Sequence, residues 1–293
     1  MRKSLVIAAL VLAAALASTA RGQAAIDAAP GVSGIGRLSK AANLVPAEQV
    51  EQGATQQYAQ LKAQAREKGA LLPLEHPQVQ RLRAIALRIL PHTVRWNERA
   101  RAWKWEVNLF ASKQVNAFCM PGGKIAFYTG ILDNLKLTDD EVAAVMGHEI
   151  SHALREHARA QAGKNELTQL GAGLVSRALG LGNVGNTVLG AGANLLSLKF
   201  SREDETEADL VGIDLAARAG YDPRAGLVLW QKMEAANSGG APPELLSTHP
   251  RDDRRLGEMN RHMGEVLPLY AATRGIAVEK LPPYESNTGK PTP

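Results

Sequence analysis

A single cysteine, Cys119, stands in 293 residues, which excludes an intrachain disulfide and leaves stability to packing and polar contacts. Aromatic residues make up only 4% of the chain, so the core has to be built mostly from Leu, Val, Ile and Ala. No apolar run reaches the ~20 residues that a membrane-spanning helix needs. The run from Leu5 to Ala17 follows Arg2 and Lys3 and leads into small residues, the pattern of an export signal with candidate cleavage after Ala20 or Ala24. Cys119 lies far from that leader and is not a lipid-attachment cysteine. Basic runs interleaved with aromatics are missing, so no nucleic-acid partner is expected. The formal charge of +5 falls to +2 without residues 1–24, with 31 basic against 29 acidic residues. Internal repeats are missing too. These absences point to one main domain with appendages, exported to a bacterial periplasm.

What is present reads as helices around a short stretch of strand. Pro46 opens a helix through about Glu67, and a second runs from about His76 to Leu90, ended by Pro91. Trp103, Trp105, Val107 and Leu109 alternate with Lys104, Glu106 and Asn108, a period of two that predicts a half-buried strand. Val115–Phe118 and Lys124–Tyr128 flank Pro121-Gly122-Gly123, which predicts a hairpin. Further helices are expected from Arg202 to Ala219, from Asp222 to about Ala236, and after Pro250. The proline-containing tail from about Lys280 is expected to be disordered.

Within the helix that Thr138 and Glu141 should cap as a capping box lies His148-Glu149-Ile150-Ser151-His152. Residues four apart share a helix face, so His148 and His152 can grip one metal ion from the same side. Glu149 then lies where a general base would sit. A tetrahedral zinc needs a third protein ligand and an open position. The pattern HExxHxxGxxH is excluded, because Arg155 and Ala158 occupy its glycine and third-histidine positions. Glu205, with Asp209 four residues on, could instead present a carboxylate to the metal and another to the outer nitrogen of a ligating histidine. The same residues could form a solvated acidic helix start, as Glu203, Asp204 and Glu207 are read to do. Spacing alone leaves Glu205 between these two readings.

Several motifs occur in order: Asn116-Ala117-Phe118, Pro121-Gly122-Gly123-Lys124-Ile125, His148–His152, Ser201-Arg202, Glu205-x-x-Ala208-Asp209 and Ser247-Thr248-His249-Pro250. Together, over roughly residues 75–262, they resemble the gluzincin zinc metallopeptidases of the BepA/LoiP type. The mitochondrial inner-membrane and CAAX prenyl endopeptidases are more distant relatives of that group.

The resemblance implies a mainly helical α+β fold, a zincin-like metallopeptidase domain with a small antiparallel sheet and an active-site helix. It divides the chain into a signal peptide (1–24), an N-terminal helical extension (25–75), the metallopeptidase domain (76–266) and a C-terminal tail (267–293). It implies one Zn2+ per chain on His148, His152 and Glu205, with Asp209 behind a ligand and Glu149 as the base that activates water. His249 becomes a catalytic-site residue, either an oxyanion donor or an additional ligand at rest; the plainer reading is a helix cap. Asn116 and Ala117 become backbone contacts for an extended peptide added to the hairpin edge. The implied substrates are unfolded, misfolded or stalled envelope proteins. The competing reading is a zinc-organised chaperone or peptide-binding protein, for which Glu149 would be superfluous. An aminopeptidase lacks support because no Gly-x-Met-Glu-Asn stretch is present.

Three features remain. The glycine-rich segment from Leu167 to Phe200 is read as close-packed with a lid function, and it is also the candidate for contact with a membrane surface. Cys119 is read as a small buried hydrophobe rather than a thiolate that masks the zinc. His76, His92, His157 and His262 are read as surface or helix-end residues.

Overall fold

The computed structural model describes residues 26–178, 198–237, 244–250 and 252–287. The expected signal peptide, most of the glycine-rich segment and the end of the tail therefore lie outside the described residues. The elements run α1 (Ala47–Glu67), α2 (Pro77–Ile89), β1 (Glu106–Phe110), β2 (Ala117–Met120), β3 (Lys124–Tyr128) and α3 (Thr129–Leu135). They continue with α4 (Asp139–Leu154), α5 (His157–Ala178), α6 (Arg202–Arg218), α7 (Ala225–Asn237), α8 (Glu244–Thr248) and α9 (Asp253–Arg274). The expected α+β, mainly helical class is what the chain adopts.

The sheet has the order β1-β3-β2. β2 and β3 form the expected antiparallel hairpin, with Ala117 opposite Phe127 and Cys119 opposite Ile125. Gly122 and Gly123 turn it with φ of 81° and 80°, a region that favours glycine. The returning strand β3 slots between β2 and β1, and so runs parallel to β1. The sheet is therefore mixed rather than wholly antiparallel.

The period-two pattern holds on all three strands, but the expected half-buried strand is covered on both faces. Val107, Leu109, Ala117, Cys119, Ile125 and Phe127 face the main core, whereas Phe110, Met120 and Ala126 pack with Tyr58 and Ala54 of α1. The Tyr58 hydroxyl donates to the Ile125 carbonyl at 2.6 Å and accepts from the Asn108 amide at 3.0 Å. Trp103 and Trp105 precede β1 instead of belonging to it.

The main core gathers α2, α4, α6, α7 and α9 on the other face of the sheet. At its centre α4 crosses α6 where Gly147 meets Gly212. A Cβ on Gly147 would lie 2.7 Å from the Gly212 carbonyl oxygen, and one on Gly212 would lie 2.8 Å from the His148 nitrogen. Only glycine permits that approach, and it places the first metal-binding candidate of α4 directly against α6.

Two peripheral segments are tied to this core. Residues 26–36 form an arm laid on α6. The Arg218 guanidinium donates to the carbonyls of Ala29 and Pro30 at 2.9 and 3.0 Å, and to that of Ile26. Asp214 accepts from Arg218 at 2.8 Å and from the Val32 amide at 3.2 Å; both side chains of this ion pair are fully buried. At the other end, the expectation of disorder from Lys280 does not hold up to residue 287. Tyr284 is buried against Ala225 and Val228, and the Asn287 side chain accepts from Lys232 at 2.5 Å. No helix among the described residues is long and apolar enough to cross a membrane.

Candidate metal centre

The helix α4 starts as its sequence requires. Thr138 caps the Glu141 amide, and the Glu141 carboxylate accepts from the Thr138 amide at 2.7 Å, a complete capping box. That fixes the register with which His148 and His152 reach the core side of the last turns. Their Nε2 atoms lie 3.1 Å apart. Ser201 and Asp204 cap α6 in the same way, so Glu205 sits in its first turn, nearly fully buried and facing the two histidines. Its oxygens are 3.5 Å from His148 Nε2 and 3.6 Å from His152 Nε2.

His249 follows α8 and completes the cluster. Its Nδ1 is 2.9 Å from Glu205 Oε1 and 3.3 Å from His148 Nε2. One donor atom each from His148, His152, Glu205 and His249 fall within 4.8 Å of one another. The donor chemistry suits zinc: imidazole nitrogens and one carboxylate, largely buried. Glu205 Oε2 supports this fit, since it is a buried oxygen with no hydrogen bond of its own. Arg255 Nη1 lies 3.0 Å from it as an ion-pair partner, without hydrogen-bonding alignment.

Each histidine of α4 has its outer nitrogen engaged. His148 Nδ1 meets Asp209 Oδ1 at 2.9 Å, as the sequence predicts. Asp209 is in turn held by two bonds from Arg255, at 2.6 and 2.8 Å. Arg255 lies over the Trp230 ring at 4.4 Å. His152 is engaged by His157, which the sequence predicts at the surface or a helix end. His152 Nδ1 lies 2.9 Å from His157 Nδ1, and His157 Nε2 lies 2.9 Å from Glu207 Oε2. Arg155 donates to the other Glu207 oxygen at 2.8 Å.

Burial and charge set the protonation tendencies. Burial pushes His148 down, but the Asp209 and Glu205 carboxylates outweigh it and lift its pKa to about 10. For His152 burial prevails and lowers the pKa well below the usual value. Burial raises Glu149, despite the histidines nearby. For Glu205 and Asp209 burial is outweighed in the other direction: the histidines around Glu205, and Arg255 with His148 around Asp209, hold both below the carboxylate range. Glu149 Oε1 is buried without a hydrogen bond, with His249 Nε2 3.6 Å away.

A cleft runs beside the cluster, lined by Ala117, Cys119, Glu149, His152, Phe200 and His249 among others. β2 is the outer strand of the described sheet and forms one wall. The Asn116 carbonyl is turned inward and accepts from the Tyr128 amide at 3.1 Å, so alternation turns the polar groups of Ala117 and Cys119 outward. The Asn116 side chain accepts from the Ala117 amide at 2.9 Å. Phe200 stacks on His152 with ring centroids 4.2 Å apart.

Several expectations need correcting. His157 and His92 are buried, not surface residues, and His92 bonds Asp27 at 2.8 Å. On one continuous helix His157, nine residues beyond His148, would face away from the site. The chain breaks instead at Glu156, whose φ of 56° is left-handed, and α5 starts anew with His157 turned back to the cluster. Glu207 is no solvated helix start; burial is outweighed by His157 and Arg155, which hold its pKa down. His76 caps α2 through its ring nitrogen, as a helix-end residue should. Cys119 is buried and its thiol is pushed well up by burial and by the charge of Glu149. Sequence reasoning missed Arg255, His157, Glu207 and Phe200, none of which stands at a telling spacing from His148.

Comparison with known proteins agrees with this geometry. The sequence model of the family described as Peptidase family M48 matches residues 76–262. The mitochondrial metalloendopeptidase OMA1 of Arabidopsis thaliana is 40% identical over 169 residues, covering 57% of this chain and 33% of that protein. OMA1 of Saccharomyces cerevisiae is 30% identical over 218 residues, covering 68% of this chain and 60% of that protein. The beta-barrel assembly-enhancing protease of Escherichia coli is 30% identical over 174 residues, covering 55% and 35%. The chain thus spans between about a third and three-fifths of the length of these relatives.

Proposed function

From a chain that belongs to peptidase family M48, a family of zinc-dependent peptidases, we infer an endopeptidase that hydrolyses peptide bonds in proteins. The convergence of His148, His152 and Glu205, with the buried, non-hydrogen-bonded Oε1 of Glu149 beside them, is the observation that carries this reading.

In this reading His148, His152 and Glu205 hold one zinc ion, which when bound supplies a Lewis acid for the scissile carbonyl and for water. The outward-facing carbonyl of Ala117 and the backbone groups of Cys119 pair with an extended substrate strand, and Asn116 fixes the edge by accepting from the Ala117 amide. That pairing presents the scissile bond to Glu149. Glu149 takes a proton from the attacking water as its oxygen bonds to the carbonyl carbon. It then delivers the proton to the leaving amine as the carbon–nitrogen bond breaks. Burial, by raising the proton affinity of Glu149, suits it to both halves of that task. Asp209 and Arg255 hold the His148 ring. The nearness of His249 Nδ1 to Glu205 and His148 supports a fourth-ligand role for His249 at rest over an oxyanion-donor role.

The physiological substrates we propose are misfolded or stalled envelope proteins, acted on in the periplasm after export by the signal of residues 1–24. The name of the Escherichia coli relative, which refers to β-barrel assembly, supports this. The domain division at residues 24, 75 and 266 belongs to the same proposal.

The test incubates metal-replete protein with an unfolded protein, comparing wild type with Glu149→Gln. Internal fragments from wild type alone are expected, with new termini identified by sequencing. No fragments from either protein, or full cellular rescue by Glu149→Gln, would favour the zinc-organised binding protein instead.

A further inference from the structure

The two histidines of α4 are supported differently. His148 faces a carboxylate directly, whereas His152 faces a second imidazole, and the carboxylate stands one ring further out. The direction of each hydrogen bond in the longer chain follows from its outer end. Arg155 has only donors, so it occupies Glu207 Oε1 at 2.8 Å. The remaining oxygen, Glu207 Oε2, accepts from His157 Nε2 at 2.9 Å. A neutral His157 that donates through Nε2 carries its lone pair on Nδ1. It must then accept from His152 Nδ1 at 2.9 Å. His152 is left with its lone pair on Nε2, the atom that faces His148 Nε2 and Glu205. With the opposite order His152 would aim an N–H at the place where a metal ligand has to aim a lone pair.

We propose that His157 is a positioning residue for the metal centre: with Glu207 and Arg155 it fixes which nitrogen of His152 carries hydrogen, and so makes His152 a ligand. This rests on the reading of His148, His152 and Glu205 as the zinc ligands. The fold expends strain to achieve it. Glu156 adopts a left-handed φ of 56°, unfavourable for a residue with a Cβ, and that residue turns His157 back onto His152. His157 and His152 are each only 3% exposed, so water does not offer an alternative partner to the His152 Nδ1–H. Arg155 also donates to the Gly36 carbonyl at 2.6 Å, which ties the outer end of the chain to the N-terminal arm.

Three substitutions separate this role from mere packing. His157→Leu removes the acceptor but keeps much of the volume. His157→Asn keeps an oxygen close to the Nδ1 position, where it can still accept. Glu207→Gln keeps the shape; because Arg155 claims the amide oxygen, the amide NH2 turns to His157 Nε2 and reverses the whole order. The measurement is the affinity for zinc ion alone, by competition with a chromophoric chelator. It is paired with 15N spectra of the histidine rings, which show whether the hydrogen is on Nδ1 or Nε2.

The His157→Leu and Glu207→Gln proteins should bind zinc about ten- to a hundred-fold more weakly, and the His157→Asn protein should recover most of that loss. The Nδ1–H signature of His152 should persist in wild type and in His157→Asn, and vanish in Glu207→Gln. Affinities within twofold of wild type for both His157→Leu and Glu207→Gln would overturn the proposal. So would a His152 Nδ1–H signal unchanged in folded Glu207→Gln. If His157→Leu does not fold, Glu207→Gln decides on the same two readouts. His148→Ala serves as the control: undiminished zinc binding there would bring down the ligand set itself, a failure distinct from that of the relay.

Discussion

Arg255 grips both oxygens of Asp209, at 2.6 and 2.8 Å, while its third nitrogen lies 3.0 Å from Glu205. One guanidinium thus steadies a candidate zinc ligand and the carboxylate behind another. Arg255→Leu should cost about 3–5 kcal/mol of stability, because it strands buried carboxylates, and should weaken zinc binding. Arg255→Lys should recover little, since an ammonium cannot reproduce the two-pronged grip. Urea unfolding with and without zinc checks both; a lysine protein of wild-type stability would contradict the claim.

The glycine crossing of α4 and α6 makes a second, sharper prediction. Gly212→Ala forces a methyl against the backbone of His148 and Gly147, which cannot yield without spreading the helices. The expected loss is about 1–3 kcal/mol, with weaker zinc binding as Glu205 is carried away from His148. Gly264, in α9, has nothing within 4 Å of its would-be Cβ. Gly264→Ala should therefore stabilise by roughly 0.5–1 kcal/mol. Melting curves of the two variants should move in opposite directions.

Acid and base should act on zinc binding through His148. Its pKa in the fold is raised to about 10 from an ordinary 6.5. Without metal, that proton stabilises the fold fully below about pH 6.5, and its contribution fades as the pH rises through about 10. A metal ion on Nε2 must displace it, so binding at about pH 7.5 should release about one proton. Calorimetry in buffers of different ionisation heat measures the release. A binding heat that ignores the buffer would count against this assignment.

His249→Ala removes one donor from a four-residue cluster and leaves three. Zinc should be held more weakly, and cleavage of an unfolded protein should change in rate. If both are the same as in wild type, His249 is a helix cap and nothing more.

Much of this was legible in the sequence because the relevant signals are local. The capping box at Thr138 and Glu141 and the turn at Gly122-Gly123 are set by residues within a few positions of one another, and the structure shows them as read. The period-two alternation identified which face of β1 meets the main core. It could not reveal that α1 covers the other face, since that depends on where a distant helix docks. The i, i+4 spacing brought His148 to His152. The partners of their outer nitrogens were visible only for Asp209, which shares a helix with Glu205. His157 escaped because Glu156 takes a backbone conformation that its residue type does not announce. Arg255 escaped because one arginine among many gives no sign that it will be buried.

The arm of residues 26–36 has a consequence for the order of folding. Its anchors, Asp214 and Arg218, lie 182 to 192 positions further along the chain than the groups they bind. Loop closure of that length carries an entropic cost that must be met before any contact rewards it. The first described residues to leave the ribosome should thus be among the last to find their places. Until they do, Asp214 lacks the Val32 amide, Arg218 lacks the carbonyls of Ile26, Ala29 and Pro30, and Arg155, at the outer end of the His157 chain, lacks the Gly36 carbonyl. Docking of the arm is therefore a late step that should coincide with the final tightening of the metal centre.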